Sequence, residues 1–303
     1  RIEQFMDGDL QILIKATTKP AMLTPTPKSL LAAIGVFRGV SKQPFVVAMN
    51  LPHACYRKWV QQEGSMRNIA IIGSSGAIGG AMTQHLARLY PEATLNAFSR
   101  KQIILSESNI ICRTINFDNE DSIASAATLA AADQPIDLVV VTSGFLHDNN
   151  TKPEKALRDL SKDNFIKVFN ANTVTPAIFA KYFVPKLNKL SPAIFAALSA
   201  RVGSISDNQL GGWYAYRASK AALNMIIKNL AIETARSNKK AIIVGLHPGT
   251  VDSPLSKPFQ GSVPKGKLFT PEDVAVKLYE TLEKLSPQQS GKCFAWDGQE
   301  IEP

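Results

Sequence analysis

The chain has 303 residues with a formal net charge of +9, and 45% of them are hydrophobic, which suits one large α/β domain with an additional segment. Three widely spaced cysteines without a C-x-x-C pair, and four histidines without ligand spacing, argue against a disulfide framework or a metal site and favour the reducing cytoplasm. No run reaches the roughly 18 apolar residues of a membrane span, and no basic cluster is interleaved with aromatic residues, so the charge favours an anionic small ligand over nucleic acid.

Residues 1–65 differ from the rest of the chain because prolines are frequent and strand–helix alternation is not sustained. Three interpretations are open: a partial upstream domain, translated sequence ahead of the natural start, or a targeting segment. Glu3, Asp7 and Asp9 disfavour a transit peptide, which should be poor in acids. Because Met66 directly precedes the first predicted strand, we favour the second interpretation and expect much of 1–65 to be poorly ordered.

From residue 67 onward, strand and helix patterns alternate, which predicts a parallel sheet covered by helices on both faces. Residues 66–303 are therefore predicted to form a doubly wound, three-layer α/β/α domain, a Rossmann fold. Ligands of such sheets bind at the carboxyl ends of the strands. The predicted strands are 68–72, 94–98, 110–116, 137–142, 193–198, 241–246 and 292–296, and the predicted helices are 77–90, 120–132, 162–188, 212–236 and 271–285.

A glycine-rich turn joins the first predicted strand to the first predicted helix. It reads Gly73-Ser74-Ser75-Gly76-Ala77-Ile78-Gly79-Gly80 and follows the β-branched run 68–72. A dinucleotide fingerprint requires this context, because glycines let the backbone approach the pyrophosphate and the helix N-terminus supplies N–H donors. The positions assigned to cofactor binding are Gly73, Ser75, Gly76, Ala77, Ile78 and Gly79.

The second predicted strand ends in the basic sequence Phe98-Ser99-Arg100-Lys101. An acid at this point would bind the ribose hydroxyls of NAD, whereas an arginine accommodates the 2′-phosphate of NADP. Arg100 offers a planar fork suited to phosphate, and no acid lies between Ala93 and Leu105. We therefore expect NADP(H) in preference to NAD(H), with Ser99 as a further hydrogen-bond donor.

Three later segments also follow predicted strands directly. They are Ser143-Gly144, Ser199 and Pro248-Gly249. Because the carboxyl ends of parallel strands meet at one edge of the sheet, these segments should line the same crevice as the glycine turn. We assign Ser143, Gly144, Pro248 and Gly249 to cofactor binding.

A tyrosine and a lysine four residues apart, Tyr216 and Lys220, lie on one face of the predicted helix 212–236. An ammonium beside a phenol favours the phenolate and lowers the pKa of the phenol from about 10. A tyrosine tuned in this way exchanges a proton with a substrate oxygen near neutral pH. Alone, this spacing occurs on many solvated helices, and it gains meaning here from the glycine turn upstream.

Together these segments resemble the short-chain dehydrogenase/reductase family over about 66–303. The segments 199–205 and 211–224 are similar to its C-factor-like branch, as is the C-terminal Trp296-Asp297-Gly298. The motifs that carry the family resemblance are the glycine turn, Asn170-Ala171-Asn172-Thr173, the Tyr216/Lys220 pair and Pro248-Gly249.

The resemblance implies an oxidoreductase that transfers hydride between NADPH and a small carbonyl or alcohol substrate. Tyr216 would be the acid/base, Lys220 would lower its pKa and hold the nicotinamide ribose, and Asn172 would anchor a water that relays protons. A serine would bind the substrate oxygen. Further implied cofactor contacts are Asn116 and Phe117 near the adenine, and Val251 and Ser253 near the nicotinamide.

The serine departs from the family pattern. Gly203 occupies its usual place relative to Tyr216, and an alignment on the preceding strand end puts Ala200 there instead. We assign the role to Ser199, with Ser204 as the alternative. Loss of such a donor costs on the order of 100-fold or more in rate, so this position bears directly on turnover.

Two functions of different classes are therefore compatible with the sequence: a reductase, or a dinucleotide-binding signalling or sensor protein with little turnover. The set of Tyr216, Lys220 and Asn172 favours the enzyme, since a binding protein does not need Tyr216. The family counterpart of helix 212–236 forms subunit interfaces, which predicts a homodimer or homotetramer. The alternative is that its apolar residues pack against the sheet.

Overall fold

The computed structural model describes residues 66–303, so the expectations for 1–65 lie outside the described residues. The strands are β1 (Asn68–Ile72), β2 (Thr94–Ser99), β3 (Ile110–Thr114), β4 (Leu138–Val141), β5 (Ala193–Leu198), β6 (Ala241–His247), β7 (Thr250–Val251), β8 (Leu268–Phe269), β9 (Cys293–Ala295) and β10 (Glu300–Ile301). The two short strands β7 and β8 pair only with each other, as a parallel ladder.

The main sheet has eight strands in the order β10-β9-β6-β5-β4-β1-β2-β3. All neighbours are parallel except β10, which pairs antiparallel with β9. The chain moves outward from β1 to β3 and then returns to β4 on the other side of β1. This reversal opens a crevice beyond the carboxyl ends of β1 and β4, where doubly wound sheets bind their ligands.

Helices cover both faces of the sheet. One face packs against α2, α4 and α5, and the other packs against α1 and α6. Because both faces are covered, the central strands are continuous apolar runs, and β1, β4 and β5 are buried along their whole length. The helices are α1 (Ala77–Leu89), α2 (Glu120–Ala130), α3 (Lys162–Phe169), α4 (Thr175–Phe183), α5 (Tyr214–Thr234) and α6 (Pro271–Glu283).

The predicted three-layer Rossmann fold is confirmed, with one helix divided differently. The segment expected as a single helix over 162–188 is interrupted by a π-helical turn, Asn170–Val174, between α3 and α4. In an uninterrupted α-helix, the N–H of residue 176 would donate to the carbonyl of Asn172, but Pro176 has no N–H. A π-helical turn just before the proline changes the hydrogen-bond pattern at this point, so that this bond is not required. The segment ends in a 3₁₀ turn that contains another proline, Val184–Lys186.

Within residues 66–303, no helix is long and apolar enough to cross a membrane. In the same part of the chain, no group of three or more His, Cys, Asp or Glu side chains is arranged to hold a metal ion.

Candidate active site

Tyr216 and Lys220 lie in the first two turns of α5, at the carboxyl ends of β4 and β5. The Lys220 side chain is almost fully buried, and its Nζ donates a 2.8 Å hydrogen bond to the carbonyl of Leu198, the last residue of β5. The same Nζ is 5.8 Å from the centre of the Tyr216 ring. The four-residue spacing on α5 thus brings the ammonium to the phenol, as the sequence predicts.

Asn172 joins this pair from the π-helical turn. Its side chain is fully buried; Oδ1 accepts from the backbone N–H of Phe145 at 2.8 Å, and Nδ2 donates to the Phe145 carbonyl at 2.8 Å. Nδ2 also donates to the Ser219 hydroxyl at 3.2 Å, beside Lys220. A Cβ on Gly144 would lie 3.7 Å from Asn172 Oδ1 and 3.9 Å from Lys220 Nζ. Asn172 therefore connects the segment after β4 to the face of α5 that carries Ser219, the residue before Lys220.

The pKa of Tyr216 does not follow the sequence argument. Burial raises the pKa of Tyr216 to about 12 and lowers the pKa of Lys220 to about 8. The expected net lowering of the Tyr216 pKa from its ordinary value of about 10 is therefore wrong for the chain by itself. Burial destabilises the phenolate by more free energy than the nearby ammonium stabilises it. Burial also disfavours the charged form of Lys220.

Glu154, which the sequence analysis did not identify, fixes the start of α5. Trp213, the residue before the helix, has a left-handed φ of 49°, and its N–H donates to the Glu154 carbonyl at 2.5 Å. The buried Glu154 carboxylate accepts from the N–H of Ala215 at 3.2 Å. A carboxylate at a helix N-terminus is favourable because of the exposed N–H groups and the helix dipole. Glu154 thus holds the first turn that carries Tyr216.

Neither candidate serine directs a free hydroxyl into the site. The Ser199 hydroxyl is buried and donates to Asn224 Oδ1 on α5 at 2.6 Å. The Ser204 hydroxyl accepts from the backbone N–H of Asp207 at 3.1 Å. Ser199 does line the cavity that contains Tyr216, together with Ala200, whose side chain has no hydroxyl.

The glycine turn is packed too tightly for side chains at two positions. Gly73 has a φ of 95°, and its N–H donates to the Phe98 carbonyl at 2.8 Å. A Cβ on Gly79 would collide with the carbonyl oxygen of Gly73 and would lie 2.5 Å from Thr142 Oγ1. The turn therefore keeps β1, β2 and the start of α1 in close contact through backbone atoms.

The N-terminus of α1 is available to an anion. Its N-cap, Gly76, provides no side-chain hydrogen bond, and the first turn contains no acid. Ser75 and Gly76 are exposed, whereas the hydroxyl of Ser74 donates to the Phe98 carbonyl at 2.9 Å and only stabilises the turn. An uncapped N-terminus behind a glycine turn fits a dinucleotide pyrophosphate. Ala77 and Ile78 complete that first turn, and Ile78 also lines the cavity that contains Tyr216.

Residues that follow β2 and β3, which were predicted to contact the adenine end of the cofactor, lie together. The exposed Arg100 guanidinium is 5.4 Å from the centre of the Phe117 ring, a cation–π distance. The buried Ser99 hydroxyl donates to the Lys101 carbonyl and is therefore already used within the chain. Asn116 Oδ1 accepts from the N–H of Asp118 at 3.0 Å, so one of its two lone pairs remains for a ligand.

Ser143, after β4, has a buried hydroxyl with no hydrogen-bond partner within the described chain. Buried polar groups are nearly always paired, so an unpaired hydroxyl beside Gly144 marks a position where a ligand or water is expected. This observation and the uncapped α1 both fit a bound dinucleotide.

The segment after β6 forms one wall of the cavity. Gly249 packs against the rings of Phe269 and Trp296, and Val251 is buried in the β7–β8 ladder. The Ser253 hydroxyl is 3.5 Å from that of Ser256. One wall of a cavity of about 720 Å³, which also contains Tyr216, is formed by Pro248, Gly249, Val251 and Ser253.

His247 and Arg201 also line this cavity, and the sequence did not single them out. The Nδ1 atom of His247 is buried and has no hydrogen-bond partner within residues 66–303. Burial, and then the charge of Arg201, lower the pKa of His247 to about 4. The sequence pattern gave no signal for either residue, because their place in the cavity depends on which strand ends are adjacent in the sheet.

Comparison with known proteins decides the family. The sequence model of the short chain dehydrogenase family matches residues 67–262. The chain belongs to this family.

Curated relatives agree with that membership, and a solved structure shares the fold. Over 139 residues the chain is 34% identical to a 1-hydroxy-2-glutathionyl-2-methyl-3-butene dehydrogenase of Rhodococcus sp. (strain AD45), covering 46% of this chain and 58% of that one. It is 30% identical over 146 residues to C-signal of Myxococcus xanthus, covering 48% and 82% of the two chains. The NADPH-bound carbonyl reductase from chicken fatty liver superposes with a TM-score of 0.68 at 21% identity, covering 79% and 95%.

Membership confirms the family and fold that the motifs predict, and it makes the chain an oxidoreductase of the short chain dehydrogenase family. The C-factor-like branch, the oligomeric state and the individual roles of the site residues stay predictions.

Proposed function

We propose that this short chain dehydrogenase is an NADP(H)-dependent oxidoreductase that interconverts a small carbonyl compound and its alcohol. One observation carries the proposal: Ile78, in the first turn after the glycine turn, lines the same cavity as Tyr216. One residue of the predicted pyrophosphate turn and the tyrosine therefore border the same space of about 720 Å³. The bound cofactor would supply or accept the hydride, and the chain's own residues would manage the proton and the orientation.

Tyr216 is the proposed proton donor in the direction of carbonyl reduction. Burial raises the pKa of Tyr216, which keeps the phenol protonated and ready to give its proton to the substrate oxygen as the carbon accepts hydride. The product is an alcohol, and the phenolate left behind is stabilised by the Lys220 ammonium beside it. In alcohol oxidation the same groups act in reverse.

Lys220 and Asn172 are proposed to restore the proton on Tyr216. Burial lowers the pKa of Lys220 to about 8, so the ammonium gives up a proton near neutral pH more readily than an exposed lysine does. The water of the predicted relay would sit beside the π-helical turn, which Pro176 of α4 follows without an N–H to donate. Asn172 would hold this turn in place through its hydrogen bonds to Phe145.

The proposed cofactor preference rests on Arg100. Its guanidinium is exposed at the end of β2 and lies over Phe117, in a position suited to a 2′-phosphate. The nearby Lys101 is also exposed and adds positive charge.

A titration of the full chain with NADPH and with NADH, followed by cofactor fluorescence, tests the cofactor part of the proposal. Tighter binding of NADPH is the expected result. Consumption of NADPH in a screen of aldehydes and ketones then tests the reaction. Binding of neither cofactor would overturn the whole proposal, and binding without turnover on any substrate would overturn its catalytic part.

A second function, dinucleotide-dependent signalling with little turnover, is favoured by the serine geometry. The hydroxyls of Ser199 and Ser204 are both engaged within the chain, and Ala200 has none. One relative, 30% identical over 146 residues, is named C-signal, which is the name of a signalling protein. Tight NADPH binding combined with turnover no faster than that of a Tyr216→Phe variant would select this alternative.

A further inference from the structure

The charged side chains that line the cavity around Tyr216 are all positive. Arg201 and Lys267 line it, and no Asp or Glu is among the described lining residues. Arg201 begins the 3₁₀ turn Arg201–Gly203 directly after β5. It therefore stands next to Ala200, where the sequence lacks the hydroxyl that would bind a substrate oxygen.

The Arg201 guanidinium is only partly committed to another residue. Its Nε donates to Asp207 Oδ2 at 2.7 Å, but the two side chains are 58% and 39% exposed. Ion pairs this exposed are worth at most about 1 kcal/mol, so Asp207 competes weakly with a ligand. The terminal nitrogens of Arg201 form no hydrogen bond within residues 66–303, which leaves a fork that matches a carboxylate.

The charge of Arg201 reaches the interior of the cavity. After burial, it is the next cause that lowers the pKa of His247, whose ring also lines the cavity. Lys267 contributes a second positive charge from the loop that precedes β8. A cavity that two cations line, with no Asp or Glu among its described lining residues, favours a negatively charged ligand.

We propose that the substrate is a carbonyl compound that carries a carboxylate, and that Arg201 binds this carboxylate. Arg201 then determines specificity within the reaction of the proposed function, on which this inference rests. Lys267 draws the acid toward the cavity without fixing its orientation, because an ammonium on a flexible stem lacks the fork of a guanidinium.

Matched pairs of substrates test the proposal. The full chain is assayed with NADPH and a series of oxo acids, such as 4-oxopentanoate and 5-oxohexanoate, each beside its methyl ester. We expect kcat/KM to be about 10- to 100-fold higher for at least one acid than for its ester, the scale of one charge-assisted pair. Arg201→Gln should abolish this preference while leaving ester reduction within a few-fold. Equal rates for every acid and ester would overturn the proposal.

Two further variants distinguish the effect of the guanidinium geometry of Arg201 from the effect of its positive charge alone. Arg201→Lys should keep only part of the preference, and Asp207→Asn should keep all of it. Lys257 lies between β7 and β8, like Lys267, but it pairs with Asp252 and is not among the cavity residues. Lys257→Gln is therefore the matched control for lost charge. A loss of preference in Lys257→Gln equal to that in Arg201→Gln would contradict a specific role for Arg201.

Direct binding separates this proposal from the proposed function. Trp213 lines the cavity, so its fluorescence should report titration with an oxo acid in the absence of turnover. Acid binding that depends on Arg201, without reduction of any substrate, would support the carboxylate site and overturn the reductase. Reduction of esters, without preferential binding of acids, would do the opposite.

Discussion

The two ends of the candidate site, the glycine turn and the surroundings of Tyr216, are formed by different parts of the polypeptide: backbone at one end and side chains at the other. At the glycine turn, the contacts are made by backbone atoms, and side chains are excluded at Gly73 and Gly79. Around Tyr216, the arrangement depends on side chains that reach across the fold, such as Asn172 to Phe145. A site formed by backbone shape recognises a common feature of a cofactor, whereas a site formed by side chains is specific to one reaction. Mutation should therefore separate cofactor binding from turnover.

The largest expected effect is at the side-chain end. Tyr216→Phe should lower kcat by about 10²- to 10⁴-fold, the usual contribution of a positioned proton donor, while NADPH affinity changes only a few-fold. Steady-state rates and fluorescence titration measure the two quantities. Tyr214→Phe removes the hydroxyl of an exposed tyrosine two residues earlier on α5 and is the matched control. Undiminished turnover in Tyr216→Phe would sink the catalytic role.

The next effect tests the backbone end. Gly79→Ala places a methyl group against the Gly73 carbonyl, and overpacking of this kind costs about 1–3 kcal/mol of unfolding free energy. The turn must shift, so we expect NADPH affinity to fall at least about tenfold as well, the equivalent of about 1.4 kcal/mol. Urea unfolding and cofactor titration measure both changes. A Cβ on Gly261 would meet nothing within 4 Å, so Gly261→Ala should unfold like the parent.

A smaller effect concerns the choice of cofactor. Arg100→Asp should move the ratio of NADPH to NADH affinity toward NADH by about tenfold or more, because a 2′-phosphate loses its cation and a ribose gains an acceptor. Parallel titrations with both cofactors give this ratio. Arg158→Asp changes the net charge equally at a highly exposed position and controls for general electrostatics. An unchanged ratio in Arg100→Asp would exclude Arg100 as the phosphate contact.

The last effect is a pH dependence of stability from His247, at the wall of the cavity between the two ends. Its folded pKa of about 4 lies below the ordinary value of 6.5, so only the unfolded chain takes up this proton between those pH values. Unfolding free energy should therefore fall as the pH drops from about 6.5 toward 4, by up to about 1.4 kcal/mol per pH unit, and should be unaffected by this group above 6.5. His247→Gln should show the shallower slope in urea unfolding between pH 7.5 and 5. Parallel curves for the two proteins would contradict the burial of this ring.

Local sequence was sufficient for most of the fold. The apolar runs at β1, β4 and β5 and the glycine turn each specify their structure through contacts close in the chain, and the four-residue spacing placed Tyr216 beside Lys220. The π-helical turn at Asn170–Val174 was not predicted, because periodicity continues through it. The short β7–β8 ladder was also missed, since two-residue strands leave no pattern.

The sequence by itself therefore determined the layered sheet, the family and the residues that gather at its edge, since strand patterning and short motifs are set by neighbours in the chain. Only the tertiary structure decided what those residues can do. The Ser199 hydroxyl is engaged by Asn224, 25 residues away, and the pKa of Tyr216 is set by burial rather than by Lys220. Hydrogen-bond partners, solvent exposure and local charge depend on distant segments brought together, and no local pattern records them.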